Sequence, residues 1–223
     1  MISSSLLQVT SERILLDSPI QLRTLSSAVI GGGTGFYRTF VNRHVNKNYC
    51  CDNPKKELRD YLVKQGLDPA DTLAMMTAAR LEDAAYMDIN EQDFSVLIAV
   101  TAGLSNAVDA AHSKAHQVQP MSGTINTWVF VNARLDDQAY TQAIVTATEA
   151  KVRALDHLNI KDPVTNTRAS GTSTDSVLVA ASQQGCYLPY AGTITLLGKA
   201  IASGVYQCTV KAIQNYQCRI SHD

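Results

Sequence analysis

At 223 residues, with 45% apolar and 17% charged side chains, the chain is long enough for one domain with a sizeable core, and it carries less charge than the roughly 25% of an average protein. A net charge of −1 without any basic run leaves no electrostatic footprint for a phosphate backbone and excludes nucleic acid as an expected partner. Residues 1–25 alternate apolar and polar instead of forming a signal peptide, and no stretch reaches the roughly 18 uninterrupted apolar residues of a membrane span, so a cytoplasmic protein without a membrane partner is expected.

Residues 5–9, 12–16 and 20–29 hold Leu, Val and Ile in short runs separated by Thr-Ser and Asp-Ser-Pro, which predicts strands joined by tight turns and an antiparallel opening. Gly31-Gly-Gly-Thr-Gly35 then breaks the pattern. So many glycines imply positive φ or close backbone approach, but the surroundings do not fit a dinucleotide fingerprint. His44 follows this cluster and is a candidate titratable base. Five cysteines, Cys50, Cys51, Cys186, Cys208 and Cys218, make an odd set without a Cys-x-x-Cys pair, which predicts free thiols. Cys50 and Cys51, close to His44 in sequence, leave a catalytic thiol open beside the inert reading.

A helix is predicted from Pro54 to Gly66, with Asp52 or Asn53 as cap and Gly66 as stop. Two similar apolar runs follow, Leu73-Ala-Met-Met-Thr77-Ala-Ala79 and Leu97-Ile-Ala-Val-Thr101-Ala-Gly103, each delivering a threonine to a strand end. His112 and His116 have the i, i+4 spacing of a helical metal pair, but no third ligand is nearby, and a solvated surface turn explains them as well. Gly123-Thr-Ile-Asn126 leads into the strand Thr127-Trp-Val-Phe-Val131.

Asp136 to Leu158 is the clearest amphipathic helix, and Lys151 falls in the middle of its apolar stripe while Glu149 falls opposite. A lysine so placed either snorkels to the edge or must be paired. The run Gly171-Thr-Ser-Thr-Asp175, set before the apolar strand Ser176–Ala181, puts three hydroxyls and a carboxylate where a strand begins. Ordinary loop chemistry accounts for such residues, and so does a binding or catalytic site. A last helix is predicted from Thr193 to Tyr216, with Ile194, Leu197, Ile201, Val205, Cys208, Ala212 and Tyr216 on one face. The expected fold is α+β, a single domain over residues 1–223 whose mixed sheet is covered by the two long helices.

Taken in order, Ser26-Ser-Ala28 with the glycine cluster, Asn42-x-x-Val45 with Tyr49, Met76-Thr-Ala-Ala79, Val100-Thr-Ala-Gly-Leu-Ser-Asn106, Gly123–Asn126, Thr148-Glu-Ala-Lys151, Ser170–Asp175 and Tyr190-Ala-Gly-Thr193 resemble the adenosylcobinamide amidohydrolase family of corrinoid salvage enzymes. The resemblance runs from about residue 25 onward, and Ser170 stands where the family has threonine. It implies hydrolysis of the amide between a corrin propionate arm and aminopropanol, releasing adenosylcobyric acid. Some members of this kind act on complete cobamides, and a non-enzymatic corrinoid-binding module is the competing class. The corrinoid cobalt belongs to the substrate, no required cofactor follows, nothing dictates a second metal ion, and a homo-oligomer is allowed.

Amide hydrolysis needs an activated water or nucleophile, donors for the oxyanion and an acid for the leaving amine. Asp175 is the first choice of base, with Glu149 and His44 as other acids or bases. Lys151 can hold a carboxylate or steady the oxyanion, and Thr124 or Thr174 can be the nucleophile. Asn42, Thr101, Asn106, Asn126 and Thr172 are candidate neutral donors to substrate, while Gly32 and Gly33 can let backbone approach the corrin edge.

Overall fold

The structure is a computed structural model that describes residues 1–117 and 123–220. Strands β1 (Leu7–Val9), β2 (Arg13–Ser26) and β3 (Gly33–His44) open the chain, and helix α1 (Pro54–Lys64) leads to β4 (Thr72–Thr77). Then come β5 (Ala85–Asn90), β6 (Ser95–Ala102), β7 (Ala107–Val108), β8 (Ile125–Val131) and β9 (Arg134–Leu135). Helix α2 (Asp137–His157), strands β10 (Gly171–Thr172), β11 (Ser176–Ala181) and β12 (Tyr187–Leu188), and helix α3 (Leu196–Ile220) complete it.

Eight strands form one mixed sheet in the order β4-β3-β2-β11-β8-β6-β5, with β1 on β2. The β1–β2–β3 opening is antiparallel. β3–β4 and β8–β11 are parallel pairs, and their crossovers contain α1 and α2, as parallel neighbours require long connections. The fold is α+β.

Strands β6 and β8 are buried along their whole length, which is why they read as continuous apolar runs and not as alternations. From β8, Ile125, Val129 and Val131 pack with α2 and α3. Trp128 and Phe130 face a second cluster containing Leu16, Phe40, Leu73 and Met75. Although β2 and β11 separate β3 from β8 in the sheet, the Phe40 and Phe130 rings meet edge to face at 4.9 Å. Trp128 Nε1 also lies 3.3 Å from Met75 Sδ on β4. The sheet therefore curls round this cluster and brings the end of β3–β4 over the start of β8. Outside the curl, Leu58 and Leu62 of α1 pack on Val41 and Ala74.

Helices α1 and α2 lie where their caps and stripes predict, α1 with Asn53 as its cap. Three expectations need correction. Asp17-Ser18-Pro19 is not a turn between strands but an irregularity inside the single strand β2, where the register with β3 shifts. Ser18 Oγ donates to the Ile20 carbonyl at 2.6 Å and so supplies a local partner where proline removes a ladder donor. The glycine cluster is half strand, since β3 starts at Gly33, while Gly31 and Gly33 take φ of 74° and 85° at the hairpin. Helix α3 starts at Leu196, not Thr193, because Thr195 Oγ1 accepts the Gly198 N–H at 3.0 Å as a cap. Ile194 is left in the exposed turn before it. Among the described residues no helix is long and apolar enough to cross a membrane.

The aromatic contact that closes the curl gives a stability test. Phe130→Ala should cost about 3–5 kcal/mol, read as a lower urea midpoint at unchanged m-value; a change below about 1 kcal/mol would place the closure of the curl elsewhere.

Candidate active site

In the parallel β8–β11 register Asn126 stands beside Ser176. The polar residues that precede each strand, Gly123–Thr124 and Thr172–Asp175, therefore arrive at the same end of the sheet. Asp175 joins them. Its Oδ1 accepts the Ile125 N–H at 3.0 Å and the Thr172 hydroxyl at 2.5 Å, while Oδ2 accepts from Lys151 Nζ. Lys151 does not snorkel: its side chain is only 11% exposed, and Asp175's is 19%. Gly171 is the residue that admits this pair, since a Cβ there would lie 2.4 Å from Asp175 Oδ2 and 2.7 Å from Lys151 Nζ.

A second set of groups fixes Thr124. Asn126 Nδ2 donates to Asn42 Oδ1 at 2.8 Å and to the Met76 carbonyl at 2.9 Å. With both amide protons used, Asn126 turns its Oδ1 to the Thr124 hydroxyl, 3.0 Å away. Asn42 Nδ2 in turn donates to Thr101 Oγ1 at 2.9 Å. All four residues are buried, so each polar atom must find a partner inside the protein. The other acceptor near Thr124 Oγ1 is the Thr174 carbonyl, at 2.8 Å. Thr174 Oγ1 donates to the Gly123 carbonyl at 2.7 Å, and Thr172 Oγ1 stands 3.4 Å from the same oxygen.

A cavity of about 480 Å³ opens onto these groups. It is lined by Thr124, Asn126, Thr174 and Asp175 together with Val29, Val45, Met75 and Met76. Tyr49 also lines it, and burial first, then its hydrogen bond to Cys51 and the nearby Glu57 carboxylate, push its phenol up and keep it a donor. A smaller cavity of about 180 Å³ reaches Asp175 and Lys151 from the α2 side.

The predicted residues divide into three groups. Thr124, Asn126, Thr174, Asp175, Lys151 and Thr172 come together as described. Asn42 and Thr101 orient Asn126 from behind and do not line the cavity, and Asn106 holds Ser173 Oγ at 2.6 Å beside Gly123. Glu149, His44, Gly32 and Gly33 lie elsewhere. Glu149 is exposed in a groove between α2 and Thr193, because the helix period carries it away from Lys151. His44 bonds the Ala79 carbonyl at 3.0 Å and opens into a groove with Thr10 and Arg80. The close approach made at Gly32 is to the chain itself, since a Cβ there would sit 2.5 Å from the Ala28 carbonyl oxygen. His112 and His116 share no site: His112 pairs with Asp109, and His116 with buried Asp162.

Composition gave no reason to single out Ser27, Val29, Val45 or Met76 as cavity walls. For Ser27, Val45 and Met76 the signal available was their position inside Ser26–Ala28, Asn42–Val45 and Met76–Ala79, three segments already marked by their pattern, and Val29 directly follows the first of them. Asp162 was also missed. It organises the loop before β10 by accepting the N–H groups of Asp109, Val164 and Thr165 and a bond from His116. Burial acts to raise its pKa, but these donors outweigh burial and hold it well below the usual carboxylate range.

Comparison with known proteins follows the same lines. Residues 3–220 match the model of a family described as adenosylcobinamide amidohydrolase. The chain is 30% identical over 188 residues to an adenosylcobinamide amidohydrolase of Methanosarcina mazei, covering 80% of this chain and 84% of that one. It is 27% identical over 183 residues to the Halobacterium salinarum protein of the same name, covering 80% and 74%. Among solved structures, the PH0078 protein from Pyrococcus horikoshii OT3 shares the fold with a TM-score of 0.50 at 9% identity, over 96% of this chain and 80% of that one.

The two carboxylates give distinct tests. Asp175→Asn puts an amide donor against either Lys151 or the Thr172 and Ile125 donors, so it should cost about 1–3 kcal/mol of stability and at least tenfold in turnover; near-normal turnover would remove Asp175 from the site. Asp162 is depressed in the folded state, so its contribution to stability is present above about pH 4, where the unfolded carboxyl ionises, and is lost as pH falls below that. Melting temperatures followed downward from neutral pH should drop less steeply on the acid side for Asp162→Asn than for the wild type. Equal acid slopes would contradict the assignment.

Proposed function

Because the chain belongs to the adenosylcobinamide amidohydrolase family, we propose that this amidohydrolase cleaves the amide between a corrin propionate arm and aminopropanol in adenosylcobinamide, giving adenosylcobyric acid and 1-amino-2-propanol in corrinoid salvage. Beyond family membership, the observation that carries this reading is Thr124 in the lining of a cavity that also includes Val29, Val45, Met75 and Met76. A cavity of about 480 Å³ suits an amide-bearing side arm, with the corrin ring held at the mouth.

In this reading the Thr124 hydroxyl attacks the amide carbonyl, the aminopropanol nitrogen leaves with a proton, and water hydrolyses the resulting ester. The fixed Asn126 amide accepts the Thr124 proton in the resting state and so turns the oxygen lone pairs away from itself. Thr174 lines the same cavity next to Thr124, and its hydroxyl can turn to the developing oxyanion. Asp175, already accepting from Lys151, Thr172 and the Ile125 N–H, is a positioning residue and not the base. Cobalt enters as part of the substrate, and the chemistry uses water and side chains without an added cofactor. The family and relative names favour neither a non-enzymatic corrinoid-binding module nor a complete cobamide as substrate.

Incubation with adenosylcobinamide and mass analysis should show adenosylcobyric acid, with a complete cobamide turned over more slowly in a parallel reaction. Thr124→Ala should lower turnover by about 10³-fold or more while substrate still binds. Tight binding without acid product from the wild type would overturn the hydrolytic reading.

A further inference from the structure

A threonine hydroxyl needs a base to become a nucleophile, and among the described residues no basic group is hydrogen-bonded to the Thr124 hydroxyl. Among the described residues, the hydrogen-bond partners of its Oγ1 are the Asn126 amide oxygen and the Thr174 carbonyl, neither of which takes a proton near neutral pH. Asp175, a carboxylate in the same cavity lining, accepts its bonds from Lys151, Thr172 and the Ile125 N–H. The remaining nitrogen on the same residue is the Thr124 backbone nitrogen, which as an amide is not basic and as a free amine would be. The peptide bond that masks it, Gly123–Thr124, is itself held as a reacting amide would be. Its carbonyl oxygen accepts the Thr174 hydroxyl at 2.7 Å and has the Thr172 hydroxyl at 3.4 Å. Gly123 takes φ 153°, and a Cβ there would lie 2.2 Å from Asn106 Oδ1, so only glycine places the carbonyl in this position.

We propose that the chain cleaves its own Gly123–Thr124 peptide bond, and that the freed α-amine of Thr124 is the base of the hydrolase. The step balances without an external reagent other than water. Thr124 Oγ attacks the Gly123 carbonyl carbon through a five-membered ring, and the C–N bond breaks. The hydroxyl proton passes to the departing nitrogen, which leaves Gly123 esterified to the threonine side chain. Water then hydrolyses the ester, giving a Gly123 carboxylate and a Thr124 with free hydroxyl and free amine. The Thr174 hydroxyl stabilises the oxyanion of the first step, where loss of one such donor costs about 10²-fold or more. Strand β8 keeps its ladders to β6 and β11 on both sides, so the two pieces stay together after the cut.

The inference rests on the hydrolytic reading only for the role of the amine; the cut is read separately, by mass. The purified full chain, denatured, should give two species, one ending at Gly123 and one beginning at Thr124, which elute together under native conditions. Thr124→Ala should remain one chain, Thr124→Ser should still cleave, and Thr174→Val made by cell-free translation should cleave about 10²-fold more slowly. A wild-type protein that hydrolyses adenosylcobinamide while wholly intact overturns the self-cleavage and leaves the hydrolysis standing. Cleavage without any hydrolysis supports the cut and overturns the substrate reading. Cleavage that persists in Thr124→Ala, or a new terminus other than Thr124, overturns the proposal.

Discussion

The parallel pairing of β8 with β11 is the constraint on which the candidate site depends. Parallel neighbours start at the same edge of a sheet, so whatever precedes one strand lies beside whatever precedes the other. Asn126 is set against Ser176, and Thr124 and Thr174 follow from it. Antiparallel pairing of the same two strands would put these segments at opposite ends of the sheet. Helix α2, which lies in the parallel connection, also delivers Lys151, and so one topological choice brings together the proposed nucleophile, the neighbouring hydroxyls and the ion pair.

Within that frame Asp175 gains partners that its surroundings in sequence do not show. A carboxylate among hydroxyls reads as a base, and in the structure a hydroxyl and an ammonium are bonded to it. It ties α2, the loop before β11 and the first residue of β8 into one unit. Polar groups this deep cost free energy unless each is satisfied. The relay from Thr124 through Asn126 and Asn42 to Thr101 meets the same demand, because each amide uses its carbonyl and its N–H groups in a defined order. That order also removes ambiguity about how the amides are turned.

Curling of the sheet supplies the rest. Without contact between Phe40 and Phe130, Asn42 on β3 would not reach Asn126 on β8, for two strands lie between them in the sheet. The apolar interior of the curl and the polar network at its end are thus two consequences of one bend. The segments at 27–29, 45–51 and 75–78 become cavity walls because the bend carries them over the start of β8.

Much of this was legible from residues alone. Alternation and caps placed α1 and α2 closely, apolar runs placed β4, β6, β8 and β11, and the oddly placed Lys151 left two readings, a snorkelling side chain and a buried partner. These are local properties, written in spacing and in the conformational habits of Asn, Pro and Gly. Asp17–Pro19 and Ile194 misled because a bulge and a cap one turn further on leave the same composition as a turn and a longer helix. Which carboxylate met Lys151, why His44 and Glu149 stood apart from the site, and how Asn42 came to steady Asn126 depended on strand order and curl. Those are contacts between residues far apart in the chain, where hydrophobic packing and buried hydrogen-bond satisfaction select among arrangements that local pattern leaves equal.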